Sequence, residues 1–279
     1  MKTEGSTILN LQLIQQSFST LILNAVENFP QEIEKIHFET YGLLFGLPQE
    51  TRVEIDYTYP ISNVKSKTDR SISPNKKVDL AIKNAQELIS TSRCVGTYHS
   101  HPYEDYFEDW ADPSDADVSY FNSLKIPYTL IIAITRNSMM EKPFHLEYRY
   151  SKAHDFYIEG SKIKGVFAKA KPLDAESRSI YGEFKKYQFE IRAYQCTGET
   201  LRDMNLYSSE AEMLMSLREK NINLKDLTPE QSFRLRKIEY NFRNGFNKSQ
   251  REERKLENSN YHLDKLFKQS AQEENKGNN

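Results

Sequence analysis

Two histidines one residue apart, His99 and His101, follow the apolar run Cys94-Val95-Gly96-Thr97-Tyr98 and stand directly before Pro102. Further along, Ser114 and Asp117 lie three apart at what reads as a helix start. Two imidazoles and a carboxylate, with a fourth position left to water, are the donor set of a catalytic zinc. Such a site also needs a base for the water, and Glu39, heading the stretch ETYGLLFG, is the candidate. Each piece has a plainer reading. Taken alone, Glu39 is a solvated carboxylate at a strand start, Asp117 a first-turn acid beside Asp115, and Ser114 an ordinary helix N-cap. His-x-His alone is a weak signal; the weight lies in the whole constellation. Ser100 reads as structural rather than nucleophilic, and His37, His145, His154 and His262 have no partner at ligand spacing.

The elements that must carry these groups follow from periodicity. Residues 7–28 place Leu11, Ile14, Phe18, Leu21 and Val26 at near-helical intervals, which predicts a helix closing before Pro30. The apolar run after Glu39 reads as a strand, and Val53, Ile55, Tyr57 and Tyr59 alternate in a second strand that Pro60 ends near an edge. Residues 65–77 read as a loop. Val78, Ala81, Ile82, Ala85, Leu88 and Ile89 form the stripe of a helix over 75–92. Cys94 to Tyr98 reads as a strand delivering His99 to its end, and Ser114 caps a helix running to about Leu124. Residues 127–134 are almost uniformly apolar, as a central strand buried on both faces would be, with 144–150 as its neighbour. Residues 151–183 are mixed and carry no clear period. Tyr187, Phe189, Ile191 and Ala193 alternate in a late strand. From Tyr207 the pattern turns helical, with Leu235, Ile238, Phe242 and Phe246 on one stripe, and 269–279 has the composition of a disordered tail.

Composition narrows the function classes. The 279 residues carry a net charge of −2, so there is no overall electrostatic case for nucleic acid or membrane. No apolar run approaches the roughly 20 residues needed to span a bilayer, and no signal-peptide pattern is apparent. The two cysteines, Cys94 and Cys196, read as plain thiols of a reducing compartment, so a soluble, cytoplasmic protein is expected.

Glu39, His99-Ser100-His101-Pro102 and Ser114-Asp115-Ala116-Asp117 together resemble the motif of the JAB1/MPN/Mov34 (JAMM) metallopeptidase family: an upstream Glu, His-Ser/Thr-His-Pro, a loop, and Ser-x-x-Asp. The flanks VEIDYTYPISNV and CVGTYHSHP resemble it too, over about residues 7–150. The resemblance implies an α/β fold, an MPN/cytidine deaminase-like domain with a mixed, curved sheet flanked by helices, to which a helical C-terminal extension is added. It implies zinc held by His99, His101 and Asp117, Glu39 as general base, and Ser114 as donor to the oxyanion. The implied activity is hydrolysis of an amide or isopeptide bond, as in the prokaryotic deubiquitinase-like members, at the C-terminal tail of a ubiquitin-like protein or its conjugate. A zinc hydrolase of unrelated peptides or small amides, and a non-catalytic MPN scaffold module, are the competing readings. The corresponding division is a metallopeptidase domain over 7–155, a strand-containing extension over 156–205 and a helical region over 206–268.

The chain departs from the family in one place. Eleven residues separate Pro102 from Ser114 where the family usually has seven. The added residues fall in an acidic, aromatic loop, where length costs little. That loop reads either as a solvated loop with its aromatics packed on the domain or as a clamp for a basic, extended peptide. From Pro229 onward eleven Lys/Arg against eight Asp/Glu leave an excess of 11 − 8 = +3, a solvated helical face or an arm for a partner or self-association.

Overall fold

A computed structural model of the protein describes residues 8–29, 39–61, 83–84, 86–87, 92–124, 126–136, 142–158 and 168–219. The chain divides into two compact units, Met1–Ser208 and Ser209–Asn279. The first is an α/β unit built on one mixed sheet. Its strands are β1 (Asn10–Leu13), β2 (Tyr41–Pro48), β3 (Arg52–Pro60), β4 (Arg93–Tyr103), β5 (Tyr128–Arg136), β6 (Lys142–Tyr157), β7 (Lys169–Lys185), β8 (Tyr187–Cys196) and β9 (Thr200–Ser208). They close into a barrel in the order β1-β3-β2-β4-β5-β8-β7-β6-β9, with β8 also paired to β9. Helix α1 (Ser17–Glu27) follows β1, and α2 (Asp115–Leu124) lies between β4 and β5. In the second unit the described residues form helix α3 (Ser209–Glu219).

The strands at the centre behave as their patterns require. β5 buries every residue from Tyr128 to Thr135, and it lies between β4, to which it is parallel, and β8. β2 and β4 are antiparallel, with Tyr41 opposite His99. A Cβ on Gly42 would meet the Tyr98 ring at 2.2 Å, so that position needs Gly for the ring to cross the strand. Lys83, Asn84, Gln86 and Glu87 are helical and exposed, all off the stripe predicted for 75–92; the stripe and the 65–77 loop lie outside the described residues. Neither cysteine is joined in a disulfide. No helix among the described residues is long and apolar enough to cross a membrane.

Three expectations are corrected. Residues 10–13 form a strand, not the first turns of a helix. Asn10 to Leu13 pair in parallel with Arg52 to Ile55 on one side and Asn205 to Ser208 on the other, and Gln15 takes a positive φ of 56° before α1 begins. Leu11 and Ile14 fit either period, and non-local pairing that closes the barrel decides for strand. Second, β4 does not end at Tyr98 but runs through both histidines to Tyr103, because β5 keeps pairing with it as far as Thr135. Third, residues 144–150 are not the neighbour of β5. β8 holds that edge, and β6 pairs instead with β7 and β9. The segment 156–205 thus supplies β7, β8 and most of β9 to the same closed sheet. The helical pattern of 229–246 and the tail lie outside the described residues.

Candidate metal centre

In a strand, alternate residues share a face. His99, His101 and Tyr103 therefore project together from β4. The register that puts Tyr41 opposite His99 brings Thr40 beside Ser100, and a clasp locks them: the Ser100 N–H donates to the Thr40 carbonyl at 3.1 Å, while the Thr40 N–H and hydroxyl donate to Ser100 Oγ at 2.8 and 2.9 Å. Ser100 is thus the structural residue its position implied, and the clasp fixes Glu39 at the histidines. Pro102, which lacks an N–H, extends past the last β2 partner, so no ladder bond is lost on that side.

The third element is the start of α2. The Ser114 N–H and Oγ both donate to Asp117 Oδ2 at 2.7 Å, and the Asp117 N–H donates back to Ser114 Oγ at 3.2 Å. This is a capping box with Asp at its third position. It satisfies the helix end and fixes the carboxylate rotamer at once, so Ser114 caps as predicted. Its hydroxyl proton is directed at Asp117. Asp115, the other first-turn acid, is exposed.

The three elements bring His99, His101 and Asp117 together as a buried group that could hold a metal ion, with ligand atoms all within 4.8 Å of one another. His99 Nε2 lies 2.9 Å from His101 Nε2 and 2.9 Å from Asp117 Oδ1, and His101 Nε2 lies 3.3 Å from Asp117 Oδ2. These spacings are close to the roughly 3.3 Å edge of a tetrahedron with metal–nitrogen bonds of about 2.0–2.1 Å. Two imidazoles and one carboxylate suit zinc among other first-row ions. Glu39 Oε1 stands 4.0 Å from His101 Nε2, beside the group rather than in it.

Electrostatics fit this arrangement. Burial alone would raise the Asp117 pKa, but the charges and hydrogen bonds of His99 and His101 outweigh it and hold the carboxyl well below its usual range. Burial would lower His99, yet Asp117 and then Glu39 raise it. Glu39 is raised, chiefly by burial, with the two histidines opposing and Asp117 adding to the rise.

The inserted loop is pinned on one face of β8. Trp110 Nε1 donates to Glu190 Oε2 at 3.0 Å, the Tyr194 hydroxyl donates to the Ala111 carbonyl at 2.8 Å, and Asp112 pairs with Arg192. Trp110 is 1% exposed, whereas Tyr106 and Phe107 remain 46% and 48% exposed beside the exposed acids Glu104, Asp105, Glu108 and Asp109. Behind the loop, Arg192 also reaches Ser151 at 3.1 Å and Asp203 at 3.3 Å. Burial pushes both Asp112 and Asp203 up to about 6 in spite of Arg192.

Elsewhere His145 pairs with Glu147, and His154 lies against Asp203; His37 and His262 lie outside the described residues. Sequence reasoning missed Thr40, Tyr103 and Arg192. Only Arg192 carried a signal. An Arg between Ile191 and Ala193 sits on the reverse face of a strand whose first face is already core, so a strand buried on both faces must pair it.

No protein-family model matches the chain, and no curated protein matches it. Among solved structures, the chain is similar to the solution structure of protein DSY2949 from Desulfitobacterium hafniense. They are 13% identical over 71% of this chain and 92% of that one, with a TM-score of 0.39. A likeness of that size defines neither a family nor an activity.

Proposed function

We propose that the protein is a zinc-dependent metallopeptidase of JAMM type, hydrolysing an amide or isopeptide bond at the C-terminal tail of a ubiquitin-like protein. The observation that supports this reading is the convergence of His99, His101 and Asp117 with Glu39 standing beside them and outside the ligand set. A bound zinc supplies a Lewis acid for the scissile carbonyl and lowers the pKa of water to about 7. The chain's own residues do the rest. Glu39 Oε1 accepts the proton as the water oxygen bonds to the carbonyl carbon, and returns it to the leaving nitrogen as the C–N bond breaks. Ser114 holds the Asp117 carboxylate in place. Neither Cys94 nor Cys196 is needed, since no covalent acyl-enzyme forms; burial pushes Cys94 up to about 11, away from a nucleophilic thiolate. The substrate class rests on the motif alone.

The test uses purified protein, measured for zinc content and incubated with a ubiquitin-like protein carrying a peptide beyond its C-terminal tail. Wild type should hold about one zinc and cleave, chelator should stop cleavage, and E39Q should keep the zinc while losing about 100- to 10,000-fold in rate. A protein without zinc, or cleavage indifferent to chelator, sinks the metallopeptidase reading in favour of a scaffold. Zinc with cleavage only of unrelated peptides sinks the substrate class.

A further inference from the structure

For His101 Nε2 to offer its lone pair to a cation, the ring's single proton must sit on Nδ1, and that hydrogen needs an acceptor. The Tyr103 hydroxyl oxygen lies 3.3 Å from Nδ1, with the two rings edge to face at 6.1 Å and 87°. We propose that Tyr103 is the positioning residue of the metal centre: its phenolic oxygen accepts the Nδ1 hydrogen of His101 and so holds the ring in the tautomer and orientation that aim Nε2 at the ion. The inference rests on the metal site proposed above and assigns a role to a residue outside the ligand set.

Tyr103 suits the task because it cannot wander. It is the last residue of β4, two along from His101 on the same face, opposite Thr135 of β5. Its ring stands edge-on to Phe107 at 4.9 Å and tilted against Trp110 at 6.2 Å, and it packs on the buried cluster of Trp110, Ala111 and Ala133. Trp110 and Ala111 are in turn fixed to Glu190 and Tyr194 of β8. The longer loop thus does more than border the site. Its aromatic base braces the side chain that orients a ligand, and a chain of contacts runs from β8 through the loop to His101. Outer partners of this kind hold metal-ligating histidines generally, and their loss costs about 10- to 100-fold in metal affinity.

Tyr103→Phe keeps the ring and its packing and deletes the acceptor. Three quantities are compared with wild type: the zinc dissociation constant by competition with a chromophoric chelator, the melting temperature of the metal-free protein, and the 15N shifts of His101 in the zinc-loaded protein. The expected result is zinc binding weakened about tenfold or more, an unchanged metal-free melting temperature, and a changed 15N shift at His101 Nδ1, which keeps its proton while Nε2 holds zinc but loses the hydrogen bond to the phenol. Equal zinc affinities overturn the inference alone. So does a fall in metal-free melting temperature large enough to account for the lost affinity, since Tyr103 would then serve packing. A wild-type chain that binds no zinc overturns the metal site and this inference with it.

Discussion

Replacing Arg192 by Met tests how the long loop is held. The guanidinium is 4% exposed and serves Asp112 from the loop, Asp203 from β9 and Ser151 from β6. Without it, Asp203, 1% exposed, keeps the His154 N–H at 2.8 Å as its donor, and Asp112 loses its ion pair. Removing one partner of a buried pair costs about 3–5 kcal/mol, a large share of the roughly 5–15 kcal/mol that holds a domain together. The cost must depend on pH. Both carboxyls already titrate near 6 with the Arg present, and they rise further without it. At pH 7.5 each carboxyl must either stay charged without the guanidinium or take up a proton at a cost; at pH 5 both are neutral and much of the penalty disappears. The chain contains one tryptophan, Trp110, in this loop, so its fluorescence reports the loop directly. In denaturant titrations R192M should lose Trp110 emission ahead of the far-UV dichroism at pH 7.5, with the two transitions converging toward pH 5. A destabilisation below about 1 kcal/mol at pH 7.5, or one equal at both pH values, would refute the buried-pair reasoning.

Other perturbations probe neighbouring features. Ser114→Ala removes the cap and a hydrogen bond to Asp117, so thermal unfolding should show a loss of about 1 kcal/mol and chelator competition a weaker zinc site; an unaltered zinc affinity would show that Asp117 holds its rotamer unaided. Gly46→Ala places a Cβ 1.9 Å from the Glu54 carbonyl oxygen, at the register shift between β2 and β3. Because backbone must move there, denaturant unfolding should reveal a loss of more than about 2 kcal/mol. Asp112→Asn addresses linkage. Its pKa is raised to about 6 in the folded chain, so its contribution is full below the unfolded value near 3.8 and is lost as pH rises through 6. Stability of D112N measured from pH 4 to 7 should therefore fall less steeply than that of wild type, by on the order of 1–3 kcal/mol across the window.

The residues of the metal group were legible in sequence because their spacing is local: His99 and His101 share a strand face, and Ser114 and Asp117 share a helix turn. Glu39 needed the motif, since nothing nearby in the chain announces that β2 will lie beside β4. The limits appear where pairing is remote. Leu11 and Ile14 suit a helix face as well as a strand, and only β3 and β9 decide between them. Residues 144–150 look like a partner for β5, yet β8 brings Phe189, Ile191 and Ala193 to that edge. The mixed composition of 151–183 conceals two long strands because their faces are buried unevenly: β7 is exposed over its first residues and buried from Ser179 to Gly182. Tyr103 was overlooked because it stands in what read as loop, beyond a strand thought to end at Tyr98.

Closure of the barrel has a consequence for how the chain is made. The Asn205 side chain donates to Asn10 across 195 residues, so β1 finds its second neighbour only when nearly the whole first unit has left the ribosome. The group that could hold a metal ion is complete by Asp117, but Glu190, Arg192 and Tyr194, which seat the loop beside it, emerge more than seventy residues later. During that interval a nascent chain would present these residues under an unanchored loop, with the edges of β1 and β5 still open to improper pairing. Such remote contacts fold slowly, and a fragment cut near residue 155 would be arrested in that half-built condition.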